Sequence, residues 1–191
     1  DSLTVRQKTL LAVGVTLSSS IAILYFASST ILLRSYEELE KRNSRENLER
    51  VIKAYDRYIE KLHAGNTAWS VWDDTYEFIK NRDPKYIEDN IGDGIYTKPN
   101  LDAIIMLNLS GEIFYGESYD RQKNKRVPLS QSLKEYIKAN PSILEHSESN
   151  NCRGGLILLP ENPIIFSSCP ILTTQMEGPS RGTMIVGHYL D

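Results

Sequence analysis

The most chemically loaded stretch of the chain is Trp69-Ser70-Val71-Trp72-Asp73-Asp74-Thr75-Tyr76-Glu77-Phe78. Read as a helix, it places Trp69, Trp72, Tyr76 and Ile79 on one face at spacings of three and four. Asp73 lies four after Trp69 and three before Tyr76, at the edge of that face. Asp74 points well away, because adjacent helical positions turn by about 100°. The two carboxylates therefore do not form an acid–base pair. Two uses fit this pattern. An aromatic wall with a carboxylate at its rim suits a cationic or hydroxylated small molecule. Alternatively, the aromatics are core and Asp73 bonds a backbone amide, since a buried carboxylate must find partners. On the first reading the candidate ligand-binding residues are Trp69, Trp72, Asp73 and Tyr76, joined by Tyr115.

The remaining reactive side chains form no catalytic pattern. His63, His146 and His188 are scattered, and none lies in a zinc-protease or nucleophile motif. Gly154-Gly155 precedes an expected strand rather than a helix, so it offers no helix amino terminus to a phosphate. No catalytic residue, metal site or cofactor is expected. Cys152 and Cys169 are the two cysteines. If the turn between them centres on Pro160 and Glu161, they face each other across a hairpin and can form a disulfide. Another register separates them and forbids it. Two cysteines without a matched histidine pair are too few for a structural metal.

These residues need a scaffold, and the hydropathy pattern outlines one. From Thr9 to Leu33 no residue is charged, a stretch of about 25 residues where roughly 20 cross a bilayer. It reads as a membrane-spanning helix after a short leader at residues 1–8. A cleaved signal peptide is the rival, with small residues around Ala27 to Ser29 as its processing site. Lysines and arginines flank both ends (Arg6 and Lys8, then Arg34, Lys41, Arg42 and Arg45), so charge leaves the orientation undecided.

From Arg34 to Leu62 there is no Gly or Pro, and good helix formers dominate. Leu48, Ile52, Tyr55, Ile59 and Leu62 form one apolar stripe, preceded by an all-polar stalk at Glu40–Asn47. Gly65-Asn66 is expected to break this helix, and a second one to run from Thr67 to about Asn81. Asp83-Pro84 caps a short helix ended by Gly92-Asp93-Gly94. Strands follow at Ala103–Leu109 and Glu112–Tyr119, joined by a turn at Ser110-Gly111. Asp120–Arg126 reads as a loop, Ser130–Ala139 as a helix, and Gly155–Leu159, Ile164–Ser168 and Thr183–Tyr189 as closing strands. The fold class is α+β: a long N-terminal helix leading into an antiparallel sheet of about five strands flanked by helices. The composition, 40% hydrophobic and 25% charged, suits a folded domain, and the net charge of -3 argues against a nucleic-acid partner.

The ordered set WSVWDDTYEF with Tyr86 and Asn90, LNLSGEIFYGESYD at Leu107–Asp120, GGLILLPENPIIFSSCPIL at Gly154–Leu172 and GPSRGTMIVGHYLD at Gly178–Asp191 resembles the fourth class of CHASE domains. These are extracellular sensory domains associated with cyclases and histidine kinases. The similarity runs from about Tyr36 to the end. Two positions depart from the pattern: Ala68 stands where the family often has an acidic residue, and His188 where it often has arginine.

The resemblance implies a PAS- or Cache-like sensor at residues 34–191, with 34–64 as stalk and long helix and 65–191 as core. It also implies an extracytoplasmic location at the inner membrane of a bacterium, and so settles the orientation. Such chains continue through a second membrane helix into a cytoplasmic kinase or diguanylate cyclase, so this sequence is expected to be a fragment. The expected function is to sense a small-molecule or periplasmic cue, as a homodimer, and to pass it across the membrane through the helix from Arg34 and the terminal strand. Two other classes fit the residues: a periplasmic protein-binding module without a small ligand, and a membrane-tethered hydrolase using Asp73 and His188.

Overall fold

The computed structural model of the chain describes residues 4–97, 101–146 and 151–190. Part of the expected leader and the terminal Asp191 lie outside them. Two compact units emerge, Asp1–Ala54 and Tyr55–Asp191. The first holds most of helix α1, which spans Val5–Ser70. Val5–Leu32 is long and apolar enough to cross a bilayer, with a mean hydropathy of 2.0. The stalk that follows is solvated all round, with i,i+4 pairs of Glu46 to Arg42 and Arg50. Leu48, Val51 and Ile52, the first part of the apolar stripe, are exposed.

The second unit contains α2 (Asp73–Asn81), α3 (Pro84–Asn90), α4 (Gly94–Thr97), α5 (Gln131–Ala139) and six strands. The strands are β1 (Ala103–Asn108), β2 (Ile113–Asp120), β3 (Lys125–Pro128), β4 (Arg153–Ile157), β5 (Ile164–Pro170) and β6 (Gly182–Tyr189). They form one antiparallel sheet in the order β3-β2-β1-β6-β5-β4. The α+β class is as expected, with six strands instead of about five. The extra strand is β3, which takes up part of the stretch read as a loop. Its edge position and charged residues make it look like a loop in sequence. Asp83 caps α3 by accepting from Lys85 N, and Ser130 caps α5 by accepting from Leu133 N. Gly111 takes φ +77 in the β1–β2 turn, where Asn108 Oδ1 accepts from the backbone of Ser110 and Glu112.

Alternation along the central strands serves two cores. Ile104 and Met106 of β1 face the side of α1 to α4, together with Val186, Tyr86 and Tyr96. Ala103, Ile105 and Leu107 face the side of α5, together with Leu133, Ile137 and Ile185. Both faces of β1 are thus covered, which is why AIIML reads as an unbroken apolar run.

The helix break lies elsewhere than expected. Helix α1 continues through Gly65 and Asn66 to Ser70, and the chain turns extended only at Trp72, with φ -149 and ψ 134. An interior glycine costs about 1 kcal/mol, which tertiary bonds from this turn of α1 offset. Val71 instead forms a parallel bridge to Leu172, whose N–H donates to Ser70 O at 3.0 Å. Trp69 and Tyr76 therefore sit on different helices.

Candidate ligand-binding site

Residues 58, 61, 62, 65 and 69 of α1 recur at helical spacings of three and four, so one side of its last turns presents them together. With Ala64, Asn66, Leu101 and Val186 they line a cavity of about 380 Å³. Its walls are mainly apolar: Leu62, Leu101, Val186 and the rings of Tyr58 and Trp69. Its polar groups are few, as is usual for a small-molecule site.

Asn66 is the most informative of them. Its side chain is 1% exposed. Nδ2 donates to Ser167 O and Met184 O, both at 2.9 Å, and lies 3.3 Å from Ser167 Oγ. Two carbonyl acceptors can be met only by the amide nitrogen, which fixes the side chain's orientation. Oδ1 is then turned away from them, buried and without a protein partner among the described residues. A buried acceptor left unmet costs about 1–3 kcal/mol. Lys61 supplies a cation at the rim, and no carboxylate among the described residues lies within ion-pair distance of it.

Behind Asn66 a polar layer joins α1 to β4 and β5. His63 Nδ1 and Ser167 Oγ are in hydrogen-bond contact at 2.8 Å, and burial pushes the His63 imidazole down. A Cβ on Gly154 would meet the His63 ring at 2.7 Å and Ile59 at 2.9 Å, so only glycine lets β4 approach α1 this closely. Cys152 and Cys169 are joined as a disulfide. The β4–β5 register that pairs Arg153 with Ser168 brings them opposite each other. Their sulfurs lie beside Thr67 Oγ1, at 3.4 and 4.0 Å.

The five residues expected around a ligand are divided by the fold. Trp69 lines the cavity. Trp72 meets it edge to face, with ring centres 6.1 Å apart, and leans on Tyr86. Asp73 is exposed; its Oδ1 accepts from Thr174 N at 2.9 Å, while its own N–H donates to Thr174 Oγ1. Tyr76 is buried and donates to Pro179 O at 3.1 Å, under the Arg181 guanidinium at 3.8 Å from its ring centre. Arg181 also binds Tyr76 O and Glu77. Tyr115 donates to Glu117 at 2.9 Å and borders a larger, more open groove of about 930 Å³ near Leu129, Ile137 and Leu144. Burial raises both Tyr115 and its neighbour Tyr96, the latter to about 12. Sequence reasoning missed Asn66 and Lys61. The available signal was the apolar stripe itself, whose 59–62–66–69 continuation carries a polar residue.

The CHASE4 domain model matches residues 54–191. The chain belongs to the CHASE4 domain family. It is 31% identical over 123 residues to the methanogenesis regulatory histidine kinase FilI of Methanothrix harundinacea (strain 6Ac). That alignment covers 64% of this chain and 14% of FilI, so the chain spans a small part of that relative. Among solved structures it resembles the extracellular domain assigned to the histidine kinase vpHK1S-Z8, with a TM-score of 0.54 at 14% identity. The match covers 78% of this chain and 58% of that one. A domain assigned to a sensory box/GGDEF family protein of Vibrio parahaemolyticus matches with the same TM-score and identity, over 78% of this chain and 59% of the other. These two likenesses concern the fold.

This CHASE4 domain carries the departures noted in sequence in two different settings. Ala68 is exposed on α1. His188 is enclosed: its Nδ1 lies 2.5 Å from Asp102 Oδ2, and its ring lies 5.7 Å from that of Tyr58. Asp102, 3% exposed, also pairs with Arg121 at 2.5 Å and accepts from Tyr189 N at 2.8 Å. Asp102 thus ties the end of β6 to the start of β1 and, through His188, to the Tyr58 wall. Asp73 and His188 share no hydrogen bond or ion pair, and each is engaged with its own partner.

Proposed function

We propose that this CHASE4 domain binds a small molecule in the cavity beneath the last turns of α1. It is then the extracytoplasmic sensing part of a receptor anchored by Val5–Leu32 in the inner membrane. The cue it binds is passed across that membrane to a kinase or diguanylate cyclase output. The observation that carries this reading is the mainly apolar cavity itself, lined by Tyr58, Leu62, Trp69, Leu101 and Val186 with the buried Asn66 among them. Family membership supports the sensing role. The disulfide is in keeping with a compartment outside the cytoplasm. The exposed Leu48, Val51 and Ile52 suit burial against a second copy.

The test is thermal unfolding of the full chain in lipid nanodiscs against a panel of metabolites, alone and with Ala64→Trp. Ala64 is exposed at the cavity lip, so an indole there blocks the cavity without entering the core. A ligand at about 100 times its Kd should stabilise by about 2.7 kcal/mol, and the blocked variant should lose that gain while unfolding normally. Hits that persist in Ala64→Trp would move the site elsewhere.

A further inference from the structure

We propose that Cys152, Cys169 and His63 become a zinc site when the disulfide is reduced, which gives the domain a second, redox-gated ligand. In sequence the two cysteines have no paired histidine beside them; the fold brings the third donor from α1. The register of β4 with β5 turns two successive cross-strand pairs, Cys152 with Cys169 and Gly154 with Ser167, toward that helix. One turn of α1 lies over both. His63 Nδ1 contacts Ser167 Oγ at 2.8 Å, and Thr67 Oγ1 lies 3.4 and 4.0 Å from the two sulfurs. Both sulfurs and an imidazole nitrogen lie within 4.8 Å of one another. Glycine at position 154 permits this, since a Cβ there would collide with the His63 ring.

The gate is a thiol–disulfide exchange with an external dithiol. Its thiolate attacks the sulfur of Cys152, which is partly exposed while Cys169 is fully buried. The S–S bond breaks, Cys169 leaves as the thiolate, and the second thiol of the dithiol then displaces Cys152. Two electrons and two protons pass to the protein, and the dithiol departs as a cyclic disulfide. Zn²⁺ then displaces the two thiol protons. Two thiolates balance the charge of the ion and a neutral imidazole adds none, as burial at Cys169 requires. Two sulfurs and one nitrogen leave a fourth tetrahedral position open. Thiolate with imidazole favours zinc over magnesium and calcium, which take oxygen donors. The exchange alters what is tied together: the disulfide joins β4 to β5 within the sheet, whereas the metal joins α1 to both. None of the three donors lines the cavity, so this site stands whether or not the cavity holds a ligand.

The experiment titrates Zn²⁺ into the full chain in lipid nanodiscs, either oxidised or reduced with a phosphine that is then removed without air. Calorimetry gives the affinity. Co²⁺ in place of zinc reports thiolate ligation through its sulfur-to-cobalt absorption, and thermal unfolding reports whether the folded chain is what binds. The reduced chain should take up one Zn²⁺ and unfold at a higher temperature, and the disulfide form should do neither. Reduced His63→Gln should bind at least about tenfold more weakly, since loss of even an outer-shell partner of a metal ligand costs that much. Reduced His146→Gln should bind like the unaltered chain, because His146 stands outside the cluster. No uptake by the reduced chain overturns the proposal, as does equal uptake by the disulfide form or by His63→Gln. Uptake without a rise in the unfolding midpoint also overturns it, because it marks zinc held by unfolded thiols.

Discussion

Two neighbouring segments of the domain use similar residues to opposite ends. The segment Tyr58–Trp69, on the last turns of α1, leaves a buried acceptor unpaired and a cavity beside it. The segment Trp72–Phe78, at the start of α2, has the denser chemistry in sequence but uses it to clasp the β5–β6 connection: Asp73 to Thr174, Tyr76 to Pro179, and Arg181 to Tyr76 and Glu77. The lesson is that aromatic and acidic density marks a place where side chains have partners to find. A single polar residue within an apolar stripe marks a place where one partner is missing.

The largest expected effect lies at the disulfide. It ties β4 to β5 next to Thr67, over a sequence separation of 17. Replacing both Cys152 and Cys169 with serine should cost about 3 kcal/mol of stability, by the loop-closure argument. Denaturant unfolding checks this, and the same variant should bind the cavity ligand more weakly because the layer behind Asn66 is loosened. An unchanged unfolding midpoint would mean that the polar layer needs no covalent support.

A smaller effect separates the two segments directly. Asp73→Ala removes one side-chain hydrogen bond at an exposed position and should cost about 0.5–1 kcal/mol. Ligand affinity measured by calorimetry should stay as it was. Lost affinity in a stably folded Asp73→Ala variant would return the α2 motif to the site and count against the division drawn between the segments.

The smallest effect is in the pH dependence. Burial holds His63, and likewise His146, below the ordinary imidazole value. The unfolded chain therefore takes up these protons first as pH falls, so stability is lost from about pH 6.5 downward. His63→Gln should flatten part of that slope in unfolding midpoints measured between about pH 7 and 5. Asp120 and Glu161, whose carboxyls are held low by hydrogen bonds, respond at lower pH and do not obscure the window. A slope untouched by the substitution would assign it to His146.

Much of the architecture follows from local pattern. The charge-free run before Arg34, the stripe Ile59–Leu62, the caps at Asp83 and Ser130, and the alternation in Ala103–Asn108 each report a short-range preference that the folded chain keeps. The register that brings Cys152 opposite Cys169 was one of two that the residues allowed, and only pairing of β4 with β5 selects it. Three features were settled by pairing between elements. Helix α1 passes Gly65 because Asn66 is bonded to residues 101 and 118 positions away, which outweighs a weak local preference. The strand β3 exists because β2 offers it an edge. The candidate site lies at the last turns of α1 because β5 and β6 hold the amide of Asn66 there, beside a cavity that this residue helps to line. A residue's type declares what bonds it can make; which of them stay unmade depends on the rest of the fold.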